Sequence, residues 1–296
     1  MLNETWKKLQ NGSDIRGVAM EGVEGQPVNL TPEIAKQIAC SFGAWLSERT
    51  GKLLSELTVA VGNDSRLSAG ELNGAVTQGL SMLGITVVDC GLCSTPAMFM
   101  TTVMEGYRYD GSVMLTASHL PFNRNGLKFF TKDGGLEKSD ITAILELAQE
   151  KIYTKAGKPG AIKSLDFIQV YAADLVRKIR NKTGEERPLE GFRILVDAGN
   201  GAGGFYADQV LKPLGACTEG SQFLNPDGSF PNHIPNPEDK TAMASIQKAV
   251  LAFHADLGII FDTDVDRAGA VDRFGREINR NRIIALIAAI ALEEHP

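Results

Sequence analysis

The sequence predicts an α/β fold, with two consecutive α/β domains whose mixed, largely parallel sheets are sandwiched by helices. Short apolar strand-like runs alternate with segments of helical periodicity. Three of those runs, 57–64, 192–197 and 255–262, end in polar or glycine-rich turns. A length of 296 residues, at roughly 150 per domain, corresponds to about two domains.

Each element follows from its residues. Thr31-Pro32-Glu33 offers an N-cap and a first-turn proline ahead of IAKQIACSFGAWLSERTG, whose apolar residues recur at helical spacing. LTVAVGND then reads as a buried strand, GELNGAVTQGLSMLG as a helix, ITVVDCG as a strand and STP as a polar turn. Strand, helix and strand at this spacing form a βαβ unit, which builds a parallel sheet. GSVMLTA and LKFFT are further strands flanking the polar stretch SHLPFNRNG, and KDGG is a turn. LEKSDITAILELAQEKIY is a helix with Ser139 or Asp140 as its cap. TKAGKPGAIKS has no periodicity and reads as a domain linker.

The second half repeats the pattern. Helix DFIQVYAADLVRKIRNKTG precedes strand FRILVDAG, turn NGAGG, helix FYADQVLKPLG and loop NPDGSFPNHIPNPED. Helix AMASIQKAVLAFHA, strand ADLGIIFD and the acidic turn TDVDR follow. The longest apolar run, IIALIAAIAL, is far shorter than the ~20 residues that cross a bilayer and reads as a buried helix.

Composition narrows the partners. A net charge of −6 gives no global basic footprint, so neither nucleic acid nor a membrane surface is expected. The first residues, MLNETWKKLQNGSDIRG, carry no signal-type apolar run, and four scattered cysteines suit a reducing, cytoplasmic setting. Cys90 and Cys93 form a C-x-x-C without a second pair and read as buried, inert thiols.

Strand ends hold the candidate chemistry, because open α/β sheets bind ligands there. Asp262, Asp264 and Asp266 alternate along DTDVDR, with Arg267 beside them. Carboxylates so crowded repel one another unless a cation sits among them, and oxygen-only ligands suit Mg²⁺; a solvated acidic turn is the weaker alternative. Ser118 follows a strand, with His119 adjacent and Lys128 downstream. It reads as a nucleophile or phosphate carrier, or as an ordinary turn residue. Gly199, Gly201 and Gly204, with Glu219 further on, match the dinucleotide template or a tight structural turn. Arg16 and Arg66 lie in glycine-flanked turns as solvated residues or phosphate clamps.

Taken together and in order, SDIRG, VGNDSR, the turn from Gly91 to Pro96, TASHLPFNRNGLKFF, VDAGNGAGG, NPDGSFPNHIPNPE and FDTDVDR resemble the α-D-phosphohexomutases, the superfamily of phosphoglucomutases and phosphomannomutases. The resemblance implies domain 1 over 1–157, domain 2 over 158–272 and the start of a truncated third over 273–296. It implies reversible movement of phosphate between C1 and C6 of a glucose or mannose phosphate through a hexose 1,6-bisphosphate. Ser118 would carry the phosphoryl group and, with Asp262, Asp264 and Asp266, hold Mg²⁺; glucose 1,6-bisphosphate would be the activating intermediate. Arg16, His119, Lys128 and Arg267 would surround the transferring group, with general acid/base duty on His119 or Lys128.

Two departures matter. Thr263 and Val265 replace the glycines of the common metal loop, and the family's sugar-selecting and C-terminal phosphate loops are not in this sequence. The chain alone is therefore expected to show little or no mutase turnover, and IIALIAAIAL to expose an apolar face. Two other readings remain at this point. One is an aspartyl-phosphate phosphatase using Asp262 and Asp264; the other is a non-catalytic phosphosugar or metal binder.

Overall fold

A computed structural model describes residues 1–294. The chain forms two compact units, Met1–Tyr171 with Asp227–Ser229, and Ala172–Pro226 with Phe230–Pro296.

In the first unit α1 (Glu4–Lys7), β1 (Gln10–Asn11) and β2 (Asp14–Val18) precede α2 (Pro32–Thr50). Then come β3 (Thr58–Asn63), α3 (Ala69–Met82), β4 (Thr86–Leu92), α4 (Thr95–Val103), β5 (Gly111–Leu115), β6 (Arg124–Thr131), β7 (Gly134–Gly135), α5 (Lys138–Glu150) and β8 (Ile162–Ser164). The sheet order is β1-β2-β6-β5-β3-β4-β8, with β7 on β6. Pairing from β5 through β3 and β4 to β8 is parallel, as the βαβ unit requires, while β1, β2, β6 and β5 pair antiparallel.

Local signals explain the element ends. The Thr31 hydroxyl accepts from Ile34 N and Gly51 closes α2 at φ 70°. At α5 the cap is Glu137, not Ser139 or Asp140; Asp140 instead returns its carboxylate to Glu137 N at 3.0 Å. The STP segment opens a helix, because Ser94 accepts from Ala97 N and Pro96 suits the first turn. The expected linker ends in β8, which pairs with β4. Gly160 makes that approach possible, since a Cβ there would fall 1.8 Å from Ile85 O.

Alternation along the strands divides the sheet. Ile15, Val59, Val61, Val113, Leu115, Leu127 and Phe129 pack against α2, α3 and α5 through Ile38, Phe42, Val76, Leu80, Ile141 and Ile144. Arg16, Gly126 and Lys128 consequently project from the opposite face, where Phe99 of α4 meets Phe130 at 6.0 Å between ring centroids.

The boundary between units falls within α6 (Phe167–Thr183). Beyond it lie β9 (Ile194–Asp197), a π-helical segment Tyr206–Leu211 where a regular helix is expected, α7 (Lys240–Ala252), β10 (Leu257–Phe261), β11 (Ala268–Asp272) and α8 (Arg280–Glu294). β10 pairs parallel with β9 and antiparallel with β11. Ile194, Val196 and Phe261 face Ala207 and Leu211, while Leu195, Ile260 and Val271 face Ala242, Ile246 and Val250. α8 carries the apolar run that its length alone suggests is a buried helix; Ile284, Leu286, Ile287, Ile290 and Leu292 are instead all exposed, as expected once the run is read as the start of a third domain. No described helix is long and apolar enough to cross a membrane.

Candidate functional site

Ser118 lies just past β5 in a left-handed backbone conformation, φ 53°, which a residue with a Cβ adopts only when its surroundings impose it. Its residue is 1 % exposed, and its Oγ lies 3.4 Å from Nδ1 of the half-buried His119. The Ser118 N–H donates to Thr116 Oγ1 at 2.9 Å, and that hydroxyl donates to Asp64 Oδ2 at 2.7 Å.

Arg66 is buried rather than solvated. Its guanidinium donates to the carbonyls of Ser118, Leu120 (2.6 Å), Pro121 (2.8 Å) and Arg124 (2.9 Å), and its Nε lies 3.4 Å from Asp64 Oδ2. With the fork committed to these carbonyls, it is an internal brace and not a phosphate clamp.

Arg16 belongs to strand β2, not to a turn, and pairs in register with Gly126. Its guanidinium donates to Ala117 O at 3.0 Å and to Asp14 Oδ2 at 2.9 Å, so it reaches the residue before the serine. Lys128, buried on β6 opposite Met114, shares the sheet face of Arg16. Of the serine-loop candidates, then, His119 and Arg16 are brought directly to the loop by the contacts above.

In the second unit Asp262, Asp264 and Asp266 present carboxylate oxygens that all lie within 4.8 Å of one another. Asp262 and Asp264 are fully buried, whereas Asp266 is exposed. Asp262 closes the turn, accepting from Arg267 N at 3.1 Å and pairing with Arg267 Nε at 3.3 Å. Val265 takes φ 68°, the left-handed region glycine would occupy freely, and packs into the core beside Phe261. Converging, partly buried oxygen donors fit a hard divalent cation such as Mg²⁺. Beside them a cavity of about 240 Å³ is lined by Asp266, Arg267, Glu238 and Arg280.

The glycine run supports this turn. Ala202 N donates to Thr263 O at 2.8 Å, and a Cβ on Gly201 would lie 2.6 Å from that same oxygen. A Cβ on Gly204 would meet Leu224 O at 2.1 Å. The structural-turn alternative accounts for these glycines.

Sequence reasoning missed a buried pair behind the run. His233 Nε2 lies 3.1 Å from both Asp197 oxygens and its Nδ1 2.9 Å from Ile234 O. A neutral imidazole has one N–H, so acceptors at both nitrogens call for the imidazolium. Burial works against that charge, but the Asp197 hydrogen bond and charge, the Ile234 carbonyl and Asp239 outweigh it and raise the pKa above 6.5. A raised folded value adds stability that is complete below the unfolded value and lost as pH climbs through the folded one. Urea unfolding of wild type is therefore expected to show a midpoint that falls as pH rises above about 6.5, and His233→Gln to flatten that dependence. Equal slopes in the two proteins would refute the assignment.

Cys90 and Cys93 are buried as expected; burial, reinforced by the charges of Asp89 and Asp166, pushes the Cys90 thiol up to about 12.

Two family models match the chain. Residues 7–155 match "Phosphoglucomutase/phosphomannomutase, alpha/beta/alpha domain I" and residues 169–275 match the corresponding domain II. A Thermococcus kodakarensis phosphoglucomutase/phosphomannomutase is 33% identical over 97% of this chain and 60% of its own length. A Pseudomonas aeruginosa phosphomannomutase/phosphoglucomutase is 34% identical over 96% of this chain and 56% of its own. The crystal structure of a Burkholderia thailandensis phosphoglucomutase/phosphomannomutase family protein superposes with a TM-score of 0.82 at 28% identity, covering 100% of this chain and 60% of that one. The chain thus spans a little over half the length of the relatives it matches. With both domain models matched in order, and with the serine loop and the acidic turn falling inside them, the chain belongs to the phosphoglucomutase/phosphomannomutase family.

Proposed function

We propose that this chain carries the phosphoserine loop and the metal loop of a phosphohexomutase, which moves phosphate reversibly between C1 and C6 of a glucose or mannose phosphate. The observation that carries the reading is Ser118, held at φ 53° with its Oγ 3.4 Å from an imidazole nitrogen. In this reaction a sugar hydroxyl attacks the phosphoserine and loses its proton to a base, while the P–Oγ bond breaks and Ser118 Oγ takes up a proton. Ser118 Oγ then attacks the other phosphate of the bisphosphate and gives up that proton, while the departing sugar oxygen is protonated to a hydroxyl. The 3.4 Å separation of His119 Nδ1 from Ser118 Oγ supports His119, of the two candidates His119 and Lys128, as the group that exchanges that proton. Arg16, reaching Ala117 O, and Lys128 on the same sheet face add positive charge on the serine-loop side. Asp262, Asp264 and Asp266 would hold Mg²⁺, which when bound neutralises charge on the phosphoryl oxygens. Arg267 fixes the first of these carboxylates, and hexose phosphate is the substrate. The aspartyl-phosphate alternative would use the same Asp262 and Asp264, and the residue that carries phosphate separates the two readings.

The test is incubation with glucose 1,6-bisphosphate and Mg²⁺, followed by phosphopeptide mapping. Acid-stable phosphate on Ser118, absent from Ser118→Ala, is the expected result. Acid-labile phosphate on Asp262, or none on Ser118, would defeat the proposal; binding without transfer would leave a phosphosugar binder.

A further inference from the structure

We infer that Asp64, Arg66 and Thr116 act as positioning residues for Ser118, imposing its left-handed conformation through a buried brace. Three observations converge. Arg66 donates to the carbonyls of residues 118, 120, 121 and 124, the whole span of the loop from the serine to the first residue of β6. Thr116 Oγ1 accepts from the Ser118 N–H, and its hydroxyl donates to Asp64 Oδ2. Asp64 in turn accepts from Arg66 N at 3.0 Å and faces Arg66 Nε, which closes the circuit.

The circuit is anchored in the core of the sheet. Asp64 follows β3 directly and its N–H donates to Leu115 O on β5 at 3.0 Å. Thr116 N donates to Gly126 O at 3.1 Å, which ties the start of the loop to β6. All three side chains are 2 % exposed or less. Neighbouring parallel strands thus supply the frame, and the planar guanidinium spans four carbonyls from one fixed point. Packing alone does not need this arrangement, because an apolar side chain would fill the volume without fixing the serine's φ.

A positioned nucleophile gains rate from orientation, and that is the role assigned here. The catalytic part of the inference rests on Ser118 being the phosphoryl carrier; the conformational part does not. Three variants separate brace from core. Thr116→Val keeps the shape and removes the hydroxyl, and Thr116→Ser keeps the hydroxyl. Arg66→Lys keeps the charge and loses the fork.

The measurements are amide hydrogen exchange across the first unit and the rate of Ser118 phosphorylation by glucose 1,6-bisphosphate with Mg²⁺. Thr116→Val and Arg66→Lys are expected to speed exchange of residues 118–124 by about tenfold or more, with β3 and β5 unchanged. Phosphorylation should slow by about tenfold or more, at unchanged half-saturation by the bisphosphate, and Thr116→Ser should restore both. Unchanged exchange in Thr116→Val would overturn the brace. Acceleration spread over the whole unit would overturn the positioning role in favour of an ordinary core role. Local acceleration with no phosphate on wild-type Ser118 would keep the brace and remove the carrier reading instead.

Discussion

Arg66→Met is expected to cost the first unit about 3–5 kcal/mol, the range for removing one partner of a buried ion pair. Methionine fills much of the volume, so the loss comes from unmet polarity. Four carbonyls at residues 118, 120, 121 and 124 lose donors, that of Ser118 in a buried position, and Asp64 keeps its charge without the guanidinium beside it. Each stranded acceptor costs roughly 1–3 kcal/mol when it stays buried, so four at the middle of that range exceed the estimate unless the loop opens to solvent. That opening is the expected relaxation, and it should make the segment between β5 and β6 the first site of proteolytic nicking. Adding Asp64→Asn should recover part of the loss, because the uncompensated charge goes with it. Urea unfolding of the single and double variants measures both quantities. A cost under about 1 kcal/mol would mean that the buried fork is replaceable.

Asp264→Asn is expected to weaken binding of Mg²⁺ or Mn²⁺ by at least about 100-fold, because it removes a buried anionic donor whose oxygen lies within 4.8 Å of its two neighbours. Thermal unfolding reads this directly. A ligand that binds only the folded state stabilises it by RT ln(1 + [L]/Kd), so a metal concentration that raises the wild-type midpoint should leave the variant unmoved. Asp266→Asn, at an exposed position, should lose less. Equal metal response in wild type and Asp264→Asn would remove the turn as a cation site.

Sequence reasoning reached what short-range pattern encodes. The alternation of apolar strands with helical periodicity gave the βαβ unit, and the spacing of Asp262, Asp264 and Asp266 gave the acidic turn, because in both cases the interacting residues are sequence neighbours. It failed where partners are distant or where backbone, not side chain, makes the contact. Arg66 looks like any polar turn residue until a loop more than fifty residues away supplies its carbonyls. Asp197 and His233, 36 residues apart, carry no local signature of a pair. β8 shows no hydrophobic alternation because all three of its residues are exposed, and only the bare backbone at Gly160 admits the approach. The helix α4 was hidden by its own cap, since Ser, Thr and Pro begin helices and turns alike.

The glycines against the acidic turn carry a consequence for how a cation would arrive. Because Gly201 lies against the Thr263 backbone and Ala202 N holds Thr263 O, the turn has its shape from protein contacts alone. An incoming ion would meet ligands already arrayed and would not have to organise the chain around itself, unlike small domains that fold only with their metal. Its affinity would be spared the ordering entropy, and stripping it should leave the surrounding sheet intact. The same closeness explains why a run spaced like a dinucleotide fingerprint has no vacancy for one: the volume a pyrophosphate would need beside Gly201 is filled by this protein's own main chain.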